Sequence, residues 1–240
     1  MQYIFALLLI SVILFFTESF SITIGKRRSS PLRLSMKVCL HGSIQTRSPL
    51  VNWYLLEKNI PFTQKPPRPS KHPFGQVPFL TDNDVEVFES GAILLYLADK
   101  YGGYDSPEER ASYTKWVVWA NSELDGLCFG KGMSGTQLDK PSKSLDRLET
   151  ILGERDWLLG DEFTVADAAV GSYLNYVPIF FRGVNPSFRP NIVKYMQRCA
   201  DRPAFAAAFG DDHVEVVKSN CIKWLNAGNN QQVKKSGWFS

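Results

Sequence analysis

This 240-residue sequence has little that would point to a metal, a redox couple or a nucleic acid. Its four cysteines, Cys39, Cys128, Cys199 and Cys221, are far apart, with no C-x-x-C and no Cys/His cluster. Neither a zinc site nor a dithiol motif is therefore supported, and no metal or cofactor is implied. Cys39 falls inside a short apolar run and reads as a small buried hydrophobe. Scattered, unpaired cysteines suit a reducing compartment. No run of Lys and Arg with interleaved aromatics occurs, which argues against nucleic-acid binding. The longest apolar run, Tyr3 to Phe16, is interrupted only by Ser11 and falls short of the ~20 residues that a membrane-spanning helix needs.

Acidic residues are nearly absent from the start of the chain. Phe20 to Met36 contains Lys26, Arg27, Arg28 and Arg33, five serines or threonines, and no acid. An apolar core followed by an Arg- and Ser-rich, acid-poor stretch has the composition of a signal and transit leader over residues 1–36. It resembles the two-part plastid addresses of algae with complex plastids, with a cut expected after Ser19. Plain secretion into the ER lumen and an uncleaved anchor are the alternatives. No stable membrane insertion is expected once the leader is removed. Four of the 27 basic residues and one of the 24 acidic residues precede residue 37, so 23 of each remain and the rest is formally neutral. The basic balance belongs to the leader.

After residue 36 the elements can be read in order. Lys37 to Leu40 reads as a strand closing at His41-Gly42. Leu50, Val51, Trp53, Tyr54, Leu55 and Leu56 give a helix with an apolar face, which ends at Asn59-Ile60-Pro61. Val77 to Leu80 and Val85 to Phe88 read as a hairpin around the polar turn Thr81-Asp82-Asn83-Asp84. From Ser90 the residues Ile93, Leu94, Leu97 and Ala98 recur at helical spacing. Glu89 and Ser90 thus sit at a helix start, where unpaired N–H groups and the dipole favour a carboxylate ligand. If the Val77–Pro78 bond is cis, the Val77 backbone faces outward and can pair with an extended peptide.

A strand, Val-Pro, a hairpin and then Glu-Ser-x-Ala-Ile-x-x-Tyr-Leu resembles the glutathione site of soluble glutathione transferases. The resemblance implies that Gln76, Val77 and Pro78 hold the cysteinyl part of glutathione and that Glu89 and Ser90 hold its γ-glutamyl end. It implies a thioredoxin-like domain over 37–101. One piece is missing: only eleven residues, Phe62 to His72, separate Pro61 from Pro73, and Pro66, Pro67 and Pro69 crowd them. That interval leaves room for a stub of strand and an extended linker, not for the family's second helix. Lys71 and His72 could supply cationic contacts there, but loop residues of these types are usually solvated.

The chemistry would lie in the loop Ser43 to Pro49. Lowering a thiol pKa by ~2 units requires about 2.7 kcal/mol of preferential stabilisation of the thiolate. A hydroxyl, a helix start and a guanidinium can supply it together. Leu-x-Gly-x-x-x-Thr-Arg, continuing to Val51-x-Trp53-Tyr54-Leu55, is most similar to the cyanobacterial-type (chi-class) transferases. Aligned without gaps, Thr46 falls on their loop serine and Arg47 on their loop arginine. These two are the candidate catalytic residues. Thr46 or Ser48 could equally cap the helix.

An all-helical domain is expected over 105–210. Pro107 opens a helix on which Tyr113, Trp116, Val117, Ala120 and Leu124 share a face, and the looser stretch Gly126 to Lys140, with four glycines, either breaks this helix or shortens its partner. Thr164 and Asp167 have capping-box spacing, which makes Asp167 structural. Tyr113 and Trp116 are the candidates for an apolar electrophile pocket, among aromatics that usually form core. Residues 211–240 read as an extension that begins helically and decays into a disordered polar tail from Asn226.

The fold class expected is α/β plus all-α. The activity implied is attack of glutathione thiolate on a small electrophile, with glutathione as co-substrate and a homodimer as the assembly the resemblance suggests. A non-catalytic ligand carrier or protein-interaction module is the alternative that the shortened interval keeps open.

Overall fold

The computed structural model describes residues 38–67, 72–104 and 106–236. The leader expected over 1–36, Lys37 and Lys71 lie outside the described residues.

β1 (Val38–His41) is buried along its whole length. It pairs in parallel with β2 (Phe62–Lys65) and antiparallel with β3 (Phe79–Asp82), which pairs antiparallel with β4 (Val85–Phe88). The sheet order is β2-β1-β3-β4. α1 (Ser48–Glu57) and α2 (Ser90–Tyr101) pack on the sheet and on each other, giving the thioredoxin-like half.

β2 is more than the expected stub. All four of its residues are in register with β1, from Val38 opposite Phe62 to His41 opposite Lys65. The prolines at 66 and 67 terminate the strand instead of preventing it, and an edge position tolerates its exposed Thr63 and Gln64. His72 is a second departure. It is buried, not solvated, with the Phe79 and Phe88 rings at 6.2 and 5.0 Å, and its Nδ1 accepts from the Phe74 N–H at 3.0 Å. Accepting through that nitrogen and lying among rings, it serves as packing, not as a cationic contact.

The helical half begins with α3 (Pro107–Trp119), capped reciprocally by Ser106 and Glu109. The helix does not break at Gly126. It passes through a π-helical turn (Ala120–Leu124) into α4 (Asp125–Phe129) and stops at Gly130, whose φ of +64° suits glycine. α5 (Lys143–Glu154), α6 (Val165–Phe180), α7 (Pro190–Ala200) and α8 (Pro203–Phe209) follow. The loose stretch before α5 is pinned by buried Arg189, which donates to the carbonyls of Leu138 and Lys140 at 2.6 and 2.7 Å and to Asp146 at 2.7 Å.

α9 (Asp211–Ser236) overturns the expectation of a disordered tail from Asn226. Val217, Cys221 and Trp224 are buried, and Trp224 Nε1 donates to the Val184 carbonyl at 2.8 Å. Burial of one face carries a polar segment that propensity alone would not keep helical.

The two halves share one core. Trp53 of α1 is fully buried with its ring 4.9 Å from both Phe163 and Phe205. Beside it, Glu57 accepts a paired contact from Arg202 at 2.5 and 2.7 Å.

Asp82, expected in the turn, closes β3 instead and is fully buried. It accepts from Tyr96, Lys100 and Tyr101 at 2.9, 2.6 and 2.5 Å, which ties the end of α2 to the sheet. Burial alone would raise its pKa, but Lys100 and the two phenols outweigh that and hold it below the ordinary carboxylate value. Its stabilising contribution is therefore complete above the unfolded pKa of about 3.9 and is lost as the pH falls through the lower folded value. We expect Asp82→Asn to cost about 2–3 kcal/mol at pH 7 and clearly less at pH 3. Urea unfolding at both pH values measures this; an equal loss at both would refute the assignment.

Candidate functional site

β1 ends at His41, and the chain turns through Gly42 into the loop leading to α1. A Cβ on Gly42 would stand 1.6 Å from Ser48 Oγ, so the start of α1 can close on the strand only over glycine. Thr46 Oγ1 donates to the Ser43 carbonyl at 2.8 Å, accepts from the Ser48 N–H at 3.1 Å and lies 2.8 Å from Ser48 Oγ. Neither Thr46 nor Ser48 takes the N-cap position, which falls to Arg47 without a side-chain bond. Ser48 is fully buried while Thr46 is only half-buried. Of the two hydroxyls, Thr46 is thus the one a ligand could meet.

Arg47 turns toward the helical half. Its guanidinium lies over the Tyr173 and Phe129 rings, 4.8 and 5.3 Å from their centroids, and is ion-paired with Asp125. It also donates to Tyr173 Oη at 2.9 Å. Burial opposes its charge, but Tyr173 and Asp125 more than offset this, so it is held firmly protonated. Tyr176 donates to the Thr46 carbonyl at 3.1 Å, fixing the loop from the same helix.

The Val77–Pro78 bond is cis. Gln76 is exposed, Val77 half-buried and Pro78 buried at the entrance to β3. Glu89 is the N-cap of α2 and has φ of +66°, a left-handed conformation that is uncommon for a residue with a side chain and is often found at functional sites. Ser90 is 5% exposed, and its Oγ donates to Asn121 Oδ1 at 3.2 Å. Asn121 Oδ1 also accepts from Tyr173 Oη at 3.0 Å. Two side chains therefore connect the helix start at Ser90 to the loop at Arg47.

The structure does not bring Tyr113 and Trp116 to the loop. Tyr113 is 1% exposed, its ring 4.3 Å from that of Tyr104, so it is core. Trp116 lines a groove of about 450 Å³ between α3 and α5 with Lys115, Trp119, Lys143 and Arg147, and that groove includes no residue of the loop. Helical spacing identified their face of α3 but not which neighbour it meets. The cavity at the loop, about 240 Å³, is lined by Gln45, Thr46, Arg47, Phe129, Met133, Tyr176 and Phe180. An adjoining cavity of about 350 Å³ shares Gln45, Tyr176 and Phe180 and adds Phe209 and His213. Burial lowers the His213 pKa to about 4, and its Nε2–H donates to the Asn175 carbonyl at 3.1 Å, so the ring is neutral near pH 7. Met133 and His213 lie in stretches where only tertiary packing reveals a pocket. Among the described residues no group of three or more His, Cys, Asp or Glu could hold a metal, and no helix is long and apolar enough to cross a membrane.

A thioredoxin-like half joined through one core to an all-helical half defines a class of two-domain proteins. Residues 41–99 match the family model "Glutathione S-transferase, N-terminal domain" and residues 131–203 match "Glutathione S-transferase, C-terminal domain". Glutathione S-transferase GstB of Escherichia coli (strain K12) is 33% identical over 153 residues, covering 55% of this chain and 73% of that protein. Elongation factor 1-gamma of Sus scrofa is 29% identical over 157 residues, covering 59% of this chain and 36% of its own length. A Burkholderia graminis glutathione transferase, solved with two glutathione molecules bound per subunit, shares the fold at a TM-score of 0.60. It is 22% identical, with 75% of this chain and 90% of that one covered. The chain belongs to the glutathione S-transferase family.

Proposed function

We propose that this protein binds glutathione and transfers its thiolate to small electrophiles. The observation that carries this reading is the convergence of the expected subsites: Ser90 at the start of α2 and Arg47 in the loop are joined through only Asn121 and Tyr173. The half-buried Val77, just before β3, would pair through its backbone with an extended tripeptide. The γ-glutamyl carboxylate would meet the N–H groups of the α2 start, and the thiolate would meet Thr46, whose hydroxyl would turn from the Ser43 carbonyl to donate to it. The electrophile would occupy the largely apolar cavities lined by Phe129, Tyr176, Phe180 and Phe209. Glutathione acts as co-substrate, and no step calls for a metal.

Titration calorimetry with glutathione tests the binding half of this proposal. We expect micromolar-to-millimolar affinity, weakened roughly 30-fold by Glu89→Ala with Ser90→Ala, as the loss of contacts to a charged ligand implies. Absence of heat and of any melting shift at several millimolar would overturn it. Binding without turnover of any alkylating or arylating electrophile would make the protein a carrier.

A further inference from the structure

We propose that Asn121, Asp125 and Tyr173 are positioning residues that bind the two ends of the glutathione site into one clamp, with Asp125 restraining the charge that Arg47 presents. This rests on the reading that Ser90 and the Thr46–Arg47 loop hold glutathione.

None of the three belongs to the thioredoxin-like half. Asn121 lies within the π-helical turn and Asp125 opens α4 directly after it. Being four residues apart, they leave the helix on the same side. Mid-helix π turns are frequent at functional sites, because the wider turn re-aims the side chains it carries. Asn121 is held from behind, its Nδ2 donating to the Val117 carbonyl at 2.8 Å. That bond orients Oδ1 toward both Ser90 Oγ and Tyr173 Oη, at 3.2 and 3.0 Å. The approach depends on Gly91, where a Cβ would stand 2.7 Å from Asn121 Nδ2. Tyr173 therefore gives its only proton to Asn121 and takes one from Arg47 at 2.9 Å. The bonds run in one direction, from Arg47 through Tyr173 to Asn121, with Ser90 arriving from the other side.

Asp125 acts on the charge. The titratable groups facing Arg47 are Asp125 and Cys128 from the α3–α4 segment and Tyr173 and Tyr176 from α6. Cys128 is buried and both phenols are neutral near pH 7, so among the described residues Asp125, ion-paired with Arg47, is the carboxylate that balances the guanidinium. An ion-paired Arg47 stabilises a nearby thiolate less than a free one would, while its position stays fixed.

Steady-state kinetics and pH profiles of the wild type, Tyr173→Phe and Asp125→Asn test the clamp. Tyr173→Phe keeps the ring over Arg47 and removes the bridging hydroxyl. We expect KM for glutathione to rise about 5- to 10-fold, with kcat changed by less and the melting temperature within a few degrees of wild type. Asp125→Asn can still accept from Arg47 but no longer balances it. The acid limb of kcat/KM should then move down by about half to one pH unit. A merely structural role would lower the melting temperature without moving that limb or separating KM from kcat. Unchanged KM in Tyr173→Phe, or an unmoved limb in Asp125→Asn, would overturn the clamp while leaving the proposed function intact. Failure of the wild type to bind glutathione would overturn both.

Discussion

Replacing Asp167 with alanine is expected to remove about 3–5 kcal/mol of folding stability and to lower the melting temperature by roughly 10 °C. The carboxylate is fully buried at the start of α6 and accepts four bonds. Oδ2 takes the Thr164 N–H at 2.9 Å and the Thr164 hydroxyl at 3.0 Å. Oδ1 takes the Leu158 N–H and the Tyr195 hydroxyl, both at 2.9 Å. Losing the box alone costs about 1 kcal/mol. The larger part comes from donors left buried without an acceptor, at about 1–3 kcal/mol each before partial relaxation. Asp167→Asn should fall between wild type and alanine, since one oxygen remains but its amide faces donors. Denaturant unfolding measures both variants. A loss near 1 kcal/mol in the alanine variant would mean that Asp167 does no more than cap the helix.

Asp167 also marks where reading a sequence stops. Thr164 and Asp167 are three residues apart, so their reciprocal bonds follow from helix geometry and were legible. Tyr195 and Leu158 complete the same carboxylate from 28 and 9 residues away, and no local spacing announces them. The same division holds along the chain. The second hairpin strand and the start of α2 rest on periodicity and lie where they were expected, whereas β3 runs two residues later than expected, Phe79–Asp82 in place of Val77 to Leu80. β2 was underestimated because the prolines were weighed as breakers when they act as terminators. α9 was underestimated because Asn and Gln were weighed without the buried Trp224 that anchors the helix.

The site divides in the same way. Glu89 and Ser90 were legible as a helix start, although the left-handed φ at Glu89 was not. Thr46 and Arg47 were legible as a hydroxyl and a cation in the loop before α1, although the direction in which Arg47 points was not. That direction is set by Asp125, just after the π turn, and by Tyr173 of α6. Nothing in the pattern of Ala120 to Leu124 distinguishes a π turn from an ordinary α-helical one. Tyr113 and Trp116 illustrate the converse error. Their periodicity was right, and the surface they meet was not the loop.

Arg47→Ala is expected to lower kcat/KM for glutathione conjugation by about 100- to 1000-fold, the largest activity loss among the single substitutions considered. Two effects combine. The first is loss of a cation near the thiol: a pKa rise of one unit amounts to about 1.4 kcal/mol, or tenfold in the thiolate available below that pKa. The second is release of the loop, because the guanidinium is held by Asp125, Tyr173 and the faces of two rings in the other half. Misplacing reacting atoms by about 1 Å can cost roughly 100-fold. Arg47→Lys separates the two. It retains a charge but cannot bond Asp125 and Tyr173 together through a planar fork, so it should recover the electrostatic part and not the positional one. If lysine restores activity to within threefold of wild type, Arg47 works as a charge alone and the contacts to the helical half are incidental. If alanine has no effect on kcat/KM while glutathione still binds, thiol activation resides in Thr46 and the start of α1 without the arginine. The expected order, wild type above lysine above alanine with a clear gap at each step, requires both the charge and the fork.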